Sequence, residues 1–172
     1  MKETIALIDQ IIEEHTTIFQ GLDQVVSDAE AIYGFKEAQE IFTSGRLDQK
    51  EGENRLVELV NSIDQGLQAH FDREETALVD AFEKEGDKEL SSTFRSLMLE
   101  HSDLRNRLAH AKRHVSELTG GESSRSHWQA TAHNLYTHIN RTRELLKAHA
   151  GAEQKLLQSL RRRLLREKEG KD

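Results

Sequence analysis

Apolar residues recur along this chain at alternating spacings of three and four in four separate segments, which is the period of a helix with one face against a core. No segment alternates apolar and polar residues with the period of two that marks a half-buried strand. The first two apolar seams comprise Ile8, Ile11, His15, Ile18, Leu22, Val25, Ala29 and Ile32, then Leu56, Val60, Ile63, Leu67, His70, Glu74, Ala77 and Ala81. The other two comprise Leu90, Phe94, Leu97, His101, Leu104, Leu108, Ala111, Val115 and Leu118, then Trp128, Thr131, Leu135, His138, Thr142, Leu145, His149, Ala152 and Leu156. The pattern predicts an all-α fold with four long helices.

Glycines punctuate the chain between these segments, at Gly34, Gly45, Gly52, Gly86, Gly120 and Gly121. Between the first and second helices, residues 35–42 are predicted to form a short extra helix. Asp87 is predicted to be the N-cap of the third helix, because an aspartate side chain accepts hydrogen bonds from the first free amides of a helix. Short connections place neighbouring helices antiparallel. The sequence therefore predicts an antiparallel up-down-up-down four-helix bundle.

Length and composition are consistent with one such bundle. The 172 residues are predicted to form a single domain, with the bundle over about 3–160 and a charged helix end over 161–172. The chain contains no proline, which would break helix interiors. The arginines at the end of the chain are expected to be solvated and to complement the helix dipole.

Charge and cysteine content exclude several classes of function. The net charge of −7 argues against nucleic acid or an anionic membrane as partner. The absence of cysteine excludes disulfides, thiolate metal sites and iron–sulfur clusters. No apolar run approaches the ~18 residues of a membrane span, and the first residues lack the apolar core of a signal peptide. We expect a cytoplasmic protein.

Each of the four seams contains a histidine, namely His15, His70, His101 or His149. At a rise of about 1.5 Å per residue, and with antiparallel neighbours, all four lie about 18–24 Å from the same end of the bundle. Four imidazoles would thus meet at one height in the interior. Burying so many polar groups costs several kcal/mol unless they are paired, and a pair of metal ions is the simplest partner.

Two glutamates, Glu74 and Glu153, follow His70 and His149 by four residues. Residues at i and i+4 share a helix face, so each carboxylate can approach the same metal pair as its histidine and bridge both ions. Nitrogen and oxygen ligands without sulfur suit iron, manganese or zinc. Too few ligands are present to close both coordination spheres, which is typical of a reactive site.

Two neighbouring residues are expected to be bystanders. Glu75 lies one residue off the face of Glu74. His138 shares the seam of His149 but lies about 16 Å away along the helix, and is interpreted as a hydrogen-bonded core residue. The alternative for the whole constellation is a buried polar layer without metal, which is disfavoured because half-satisfied buried networks are destabilising.

The constellation occurs in four sequence pieces, one per helix: EEHTTI with His15, HFDREE with His70 and Glu74, EHSDLR with His101, and HAGAEQ with His149 and Glu153. In this order they resemble the hemerythrin-like (HHE cation-binding) family, over essentially residues 3–160. The resemblance implies a four-helix bundle around a non-haem di-iron centre with bridging Glu74 and Glu153. Members of the family bind dioxygen, sense oxygen or iron, or react with nitric oxide or peroxide.

The sequence departs from the oxygen-carrying hemerythrins at two positions. Those proteins have a second histidine four residues after the one in the third helix, where this chain has Arg105. Their last motif has an aspartate five residues after histidine, whereas Glu153 comes after four. The iron held by His101 and His149 would thus lack a third histidine, which favours redox chemistry or sensing over reversible oxygen carriage.

The sequence predicts a non-haem di-iron protein that binds or reduces dioxygen, peroxide or nitric oxide. His15 and His70 would hold one iron, and His101 and His149 the other. Leucines flanking this layer, at Leu67, Leu104 and Leu145, are expected to limit water access. The electron donor is not identified, and enzymatic turnover is left open. The alternatives are an oxygen- or iron-sensing module without turnover, and a structural bundle holding another metal, with manganese or zinc less favoured than iron.

Overall fold

A computed structural model describes residues 2–34, 47–120 and 124–169, and these residues are helical almost throughout, with no strand among them. The helices are α1 Lys2–Gly34, α2 Leu47–Arg73, a π-helical turn Glu74–Leu78, α3 Val79–Glu85, α4 Lys88–Met98, α5 Glu100–Thr119 and α6 Arg125–Glu169. The predicted all-α class is confirmed. The extra helix predicted over 35–42 lies outside the described residues.

The helices form a bundle of four rods: α1, then α2 with the π turn and α3, then α4 with α5, then α6. Helix α1 packs against α2 and α6, and α5 packs against the same two helices. None of the described helices is long and apolar enough to cross a membrane.

Helix ends follow the local chemistry that the sequence predicts. Gly86 is the C-cap of α3, and a Cβ at this position would collide with the carbonyl oxygen of Phe82. The Asp87 carboxylate accepts a hydrogen bond from the Leu90 amide at 2.9 Å, which confirms Asp87 as the N-cap of α4. The third predicted helix is interrupted once, at Leu99, whose side chain is 79% exposed.

The π turn changes which residues of the second rod face the core. Because its hydrogen bonds run from i to i+5, it takes up about one more residue than an α turn and shifts the apolar face by one position. Ala77, predicted to lie in the seam, is exposed, and Leu78 is fully buried. The seam prediction is therefore wrong at Ala77 and confirmed at Ala81, which Phe82 joins in the core.

Three buried apolar clusters stack along the bundle, and a layer of buried polar residues lies among them. One cluster at the end that contains Gly86 includes Ile8, Phe82, Phe94, Leu157 and Leu164. Another includes Leu22, Leu67, Phe71, Leu104 and Leu146. The third includes Val25, Leu56, Val115, Trp128 and Leu135. The core thus extends past residue 160, since Leu164 is fully buried within the arginine-rich end of α6.

Candidate metal centre

Two groups of metal-ligating atoms occur in the bundle interior. The first comprises His15, His70, Glu74 and Glu153, and the second comprises Glu74, His101 and His149; within each group the ligating atoms lie within 4.8 Å of one another. All six residues that the sequence singled out are thus brought together, from four different rods. Their exposed fractions run from 0% for Glu74, His101 and Glu153 to 9% for His15.

The Glu74 carboxylate belongs to both groups because its two oxygens face opposite ways. Oε1 lies 2.6 Å from His70 Nε2 and 3.7 Å from His15 Nε2, while Oε2 lies 3.1 Å from His101 Nε2. Glu153 Oε2 lies 3.1 Å from His15 Nε2, in the first group. Glu74 therefore has the position of a bridge between the two groups, and Glu153 lies closer to one of them.

Three glutamates outside the six hold the outer nitrogens of the histidine rings. His70 Nδ1 donates to Glu14 at 2.9 Å, His101 Nδ1 to Glu75 at 2.8 Å, and His149 Nδ1 to Glu100 at 3.0 Å. With the proton on Nδ1, each Nε2 presents a lone pair to the interior, which is the tautomer a metal requires.

The sequence analysis missed these three carboxylates and interpreted Glu75 as a bystander. Each lies directly beside a member of the six in sequence, in the pairs Glu14–His15, Glu74–Glu75 and Glu100–His101. Each, however, binds a histidine on another rod. A glutamate adjacent to a candidate ligand is the signal that would have pointed to them.

Arg105 contacts Glu75, one of these three outer glutamates, and makes no contact with the inner atoms among the described interactions. Its guanidinium donates to Glu75 at 2.6 Å, to Gln68 at 2.9 Å and to Asp72 at 3.1 Å, and lies 5.2 Å from the centre of the Phe71 ring. Arg105 thus positions Glu75, which in turn positions His101.

The inner atoms face one another and have no hydrogen-bond partner outside the centre among the described residues. Five of the nine buried side-chain N and O atoms without a hydrogen bond among the described residues belong to this centre: His15 Nε2 and both carboxylate oxygens of Glu74 and Glu153. The His101 and His149 Nε2 atoms face each other at 3.0 Å, although both of their ring protons are directed outward. An unsatisfied buried polar atom costs about 1–3 kcal/mol, so five are costly against a total stability of about 5–15 kcal/mol.

Cations fit this arrangement. Atoms bound to one metal at about 2.1 Å lie roughly 3 Å apart. Three of the separations are close to that distance, at 3.0–3.1 Å, and all the ligating atoms within each group lie within 4.8 Å of one another. The donors are imidazole nitrogens and carboxylate oxygens, which suit iron, manganese and zinc. The residues present therefore fit a pair of cations that share Glu74.

When no metal is bound, protons on His15 and Glu153 offset part of the negative charge of the buried carboxylates. Burial lowers the pKa of His15, but the carboxylates of Glu153 and Glu74 outweigh burial and raise its pKa to about 9. Burial, together with the nearby charge of Glu74, raises the pKa of Glu153 to about 7. Burial opposes the ionisation of Glu74, yet its three histidine neighbours hold its pKa well below the usual range. Metal binding would release the protons of His15 and Glu153.

An apolar layer covers one side of the centre. The Phe71 ring stacks on His101 with 4.1 Å between ring centres. Leu67, Leu104 and Leu146 are buried in the same cluster. The prediction for Leu145 is wrong, because Leu145 is 36% exposed and its neighbour Leu146 takes the inner position.

Among the histidines outside the centre, His138 behaves as the sequence predicted. His138 is half-buried, and its Nε2 donates to the carbonyl oxygen of Arg107 at 2.9 Å. It lies against His110 and His114, each with 5.9 Å between ring centres.

Comparison with known protein families found one family model that matches this chain. The family model of the hemerythrin HHE cation-binding domain matches residues 6–158. That span contains the six inner residues and the three outer glutamates. Searches of curated proteins and of solved structures found no match.

Proposed function

We propose, from the premise that this chain belongs to the hemerythrin HHE cation-binding domain family, that it is a non-haem di-iron protein that binds or reduces dioxygen, peroxide or nitric oxide. The observation that carries the proposal is the pair of ligand groups sharing Glu74, with its five buried atoms that lack partners.

In this proposal His15 and His70 hold one iron, and His101 and His149 hold the other. Glu74 bridges them, and Glu153 supplies the second carboxylate on the side of His15. When bound, the iron pair supplies electrons or an open coordination position to the small ligand. Glu14, Glu75 and Glu100 accept the Nδ1 protons of His70, His101 and His149 and so leave Nε2 of these rings free to bind metal, and the buried apolar residues keep bulk water out of the layer.

Two histidines in the second group, with Arg105 directed at Glu75, support an incompletely ligated second iron. Glu74, His101 and His149 would hold this iron and would leave coordination positions available to a diatomic ligand or peroxide. This favours redox chemistry over reversible oxygen carriage. The sensing module without turnover remains the second candidate, since it would use the same open positions.

The up-down-up-down order is part of the proposal. Contacts between the first two rods support it, because residues early in one rod meet residues late in the other. The pairs are Thr4–Glu85, Glu14–His70 and Asp28–Arg55.

Metal analysis and optical spectroscopy test the proposal. Protein reconstituted with ferrous iron without oxygen and then desalted should retain two irons per chain. After oxidation it should show charge-transfer absorption in the near ultraviolet and no haem Soret band. A single zinc, or no retained transition metal, would contradict the di-iron centre.

Matched variants of the two inner carboxylates sharpen this test. Glu74→Gln should lose both irons because Glu74 faces both groups, whereas Glu153→Gln should retain part of the metal, held by His101, His149 and Glu74. His138→Ala should retain both irons. If His138→Ala empties the site while Glu74→Gln does not, the assignment of the inner ligands is wrong.

Reaction assays separate the enzyme from the sensor. The diferrous protein, supplied with a chemical reductant, should consume peroxide or nitric oxide over many turnovers if it is an enzyme. A single stoichiometric reaction followed by a stable change in conformation would favour the sensing module.

A further inference from the structure

An apolar cavity, partly open towards the surface, lies between the helices on the side of the metal centre that Leu67 covers. We call it the upper cavity. The centre of a water-sized molecule can move within a volume of about 20 Å³ in this cavity. That space accommodates about one small molecule. Its lining residues are Leu22, Val25, Val60, Ile63, Leu108, Ala111, Ile139 and Thr142.

The upper cavity is in register with the histidine layer on all four rods. Leu22 and Leu108 come seven residues after His15 and His101. Ile63 and Thr142 come seven residues before His70 and His149. Seven residues are two helical turns, so the cavity lies about 10 Å from the histidines along the bundle axis.

A single layer of side chains separates the upper cavity from the centre. Leu67, Leu104 and Leu146 each lie three residues from a histidine, on the side towards the cavity. They pack in one cluster with Leu22 and Leu108, which also line the cavity. Buried side chains change rotamer even in well-packed interiors, and a small molecule in the cavity needs to pass only this one layer.

The lining excludes polar ligands. The cavity surface is entirely apolar. The single hydroxyl among the lining residues, on Thr142, is donated to the carbonyl oxygen of His138 at 2.8 Å. Water, peroxide or azide would lose its hydrogen bonds there at a cost of a few kcal/mol. An uncharged apolar molecule loses none and gains dispersion contacts with the walls.

We propose that the upper cavity is a binding site for one uncharged diatomic gas molecule, dioxygen or nitric oxide, which it supplies to the iron pair through the layer formed by Leu67, Leu104 and Leu146. The supply role rests on the proposed function, whereas gas binding in the cavity does not require metal. The proposal selects the diatomic gases over peroxide as the ligands that use this route.

Xenon is a probe for the cavity that is independent of iron, because it binds small apolar voids. Metal-free protein under xenon pressure should show one saturable site by xenon NMR or in a crystal. Ala111→Leu, which places three carbons in the void, should abolish binding, and Val25→Ile, with one added methyl, should weaken it. Ala109→Leu, an exposed position on the same helix, should leave binding unchanged. A wild-type protein without saturable xenon binding would overturn the gas site.

Ligand association with the iron-loaded protein tests the supply role. Ala111→Leu should slow the binding of nitric oxide several-fold and leave the binding rate of azide unchanged, because an anion would not cross the apolar cavity. Val25→Ile should slow nitric oxide binding by a smaller factor. It serves as the test variant if Ala111→Leu does not fold. Dioxygen consumption by the diferrous protein, measured on the same variants, shows which gas uses the route. Unchanged nitric oxide and dioxygen rates in a variant that has lost xenon binding would overturn the supply role.

These two experiments separate the proposals. If the protein binds xenon but retains no iron, the proposed function is wrong and the gas site stands. If it retains two irons but binds no xenon, the cavity proposal is wrong and the proposed function stands.

Discussion

At the scale of single residues, the metal centre depends on outer carboxylates as much as on its inner atoms. Glu14, Glu75 and Glu100 each fix one histidine ring. Two of them are themselves held by arginines, Glu14 by Arg73 at 2.9 Å and Glu75 by Arg105. A chain of charged hydrogen bonds thus runs from the bundle surface to the ligand layer, and its strength comes from the charged partners.

Removing Glu75 should weaken the second ligand group. In Glu75→Ala, His101 loses the acceptor that fixes its tautomer and orientation, so metal affinity at this site should fall about 10–100-fold. Competition with a chelator during metal titration measures the change. Glu75→Gln keeps an acceptor oxygen and should recover most of the affinity.

Asp72→Ala is the matched control, because Asp72 contacts Arg105 in the same network but no histidine of the centre among the described contacts. Its metal affinity should remain close to that of the wild type. Equal losses in Asp72→Ala and Glu75→Ala would show that the effect comes from general electrostatics and not from His101.

The pKa values of the inner residues predict an unusual pH dependence for the metal-free protein. The pKa of His15 is about 9 in the folded state against 6.5 for a free imidazole. Its protonation therefore stabilises the fold fully below pH 6.5, and this contribution is lost as pH rises towards 9. His70 has a raised pKa and acts in the same direction. His149 has a lowered pKa and titrates below this window.

The melting temperature of the metal-free protein should thus fall between pH 6.5 and 9, with a loss on the order of 3 kcal/mol in the free energy of unfolding. Calorimetry on chelator-treated protein measures it. The metal-loaded protein should show no such fall, because bound cations replace the protons. Metal-free His15→Asn should show a flatter pH profile, and an unchanged slope in that variant would contradict the role of His15.

At the scale of elements, the π turn at Glu74–Leu78 contains both a candidate metal ligand, Glu74, and a core residue, Leu78. It begins at Glu74, continues through Glu75, and ends at the fully buried Leu78. Two consecutive glutamates lie at its start, with Glu74 directed into the layer and Glu75 directed to the outer nitrogen of His101. Single π turns inside α-helices are frequent at functional sites.

Deleting Ala77 tests this element. The residue is exposed, and its loss would let the turn close as a regular α turn while Phe82 keeps its inward face. We expect the deletion variant to keep its helical circular dichroism and to lose most of its metal affinity. Ala77→Ser, which retains the chain length, should bind metal normally. Normal metal binding by the deletion variant would show that the π turn is not required.

At the scale of the whole molecule, apolar clusters flank the polar layer, and the cluster with Phe82 and Phe94 reaches the last turns of α6. Those two rings are stacked with 4.2 Å between their centres. Leu164 completes this cluster, although it lies among arginines that the sequence analysis treated as a solvated helix end. The final turns of α6 therefore contribute to stability.

Adjacent leucines offer a direct comparison. Leu164→Ala removes a fully buried side chain and should lower the free energy of unfolding by about 2–5 kcal/mol. Leu165→Ala removes a side chain that is 42% exposed and should change it by less than about 1 kcal/mol. Urea denaturation measures both. Equal effects would mean that the end of α6 does not pack against the bundle in solution.

Periodicity alone predicted the helical class, most of the seam positions and the convergence of six polar residues. In a helix, the spacing of two residues in the sequence fixes their separation along the axis and the angle between their side chains. Histidines such as His15 and His101 could therefore be placed at one level before the three-dimensional structure was known. The N-cap at Asp87 is equally local, because its hydrogen bond joins residues three positions apart. The six inner residues that a metal centre requires as ligands were therefore predictable from spacing, whereas the ring nitrogens that face inward were not.

The rotation of each rod, and the side chains that meet between rods, depend on the packing of the folded chain. Leu145 and Leu146 differ by about 100° around the helix, and packing against three neighbours selects one of them. The π turn shifts the inward face of the second rod by one residue. The partners Glu75 for His101 and Glu100 for His149 come from different rods, and so does every wall of the upper cavity. Periodicity along one helix contains no information on these pairings, because they arise from the relative rotation and register of four helices.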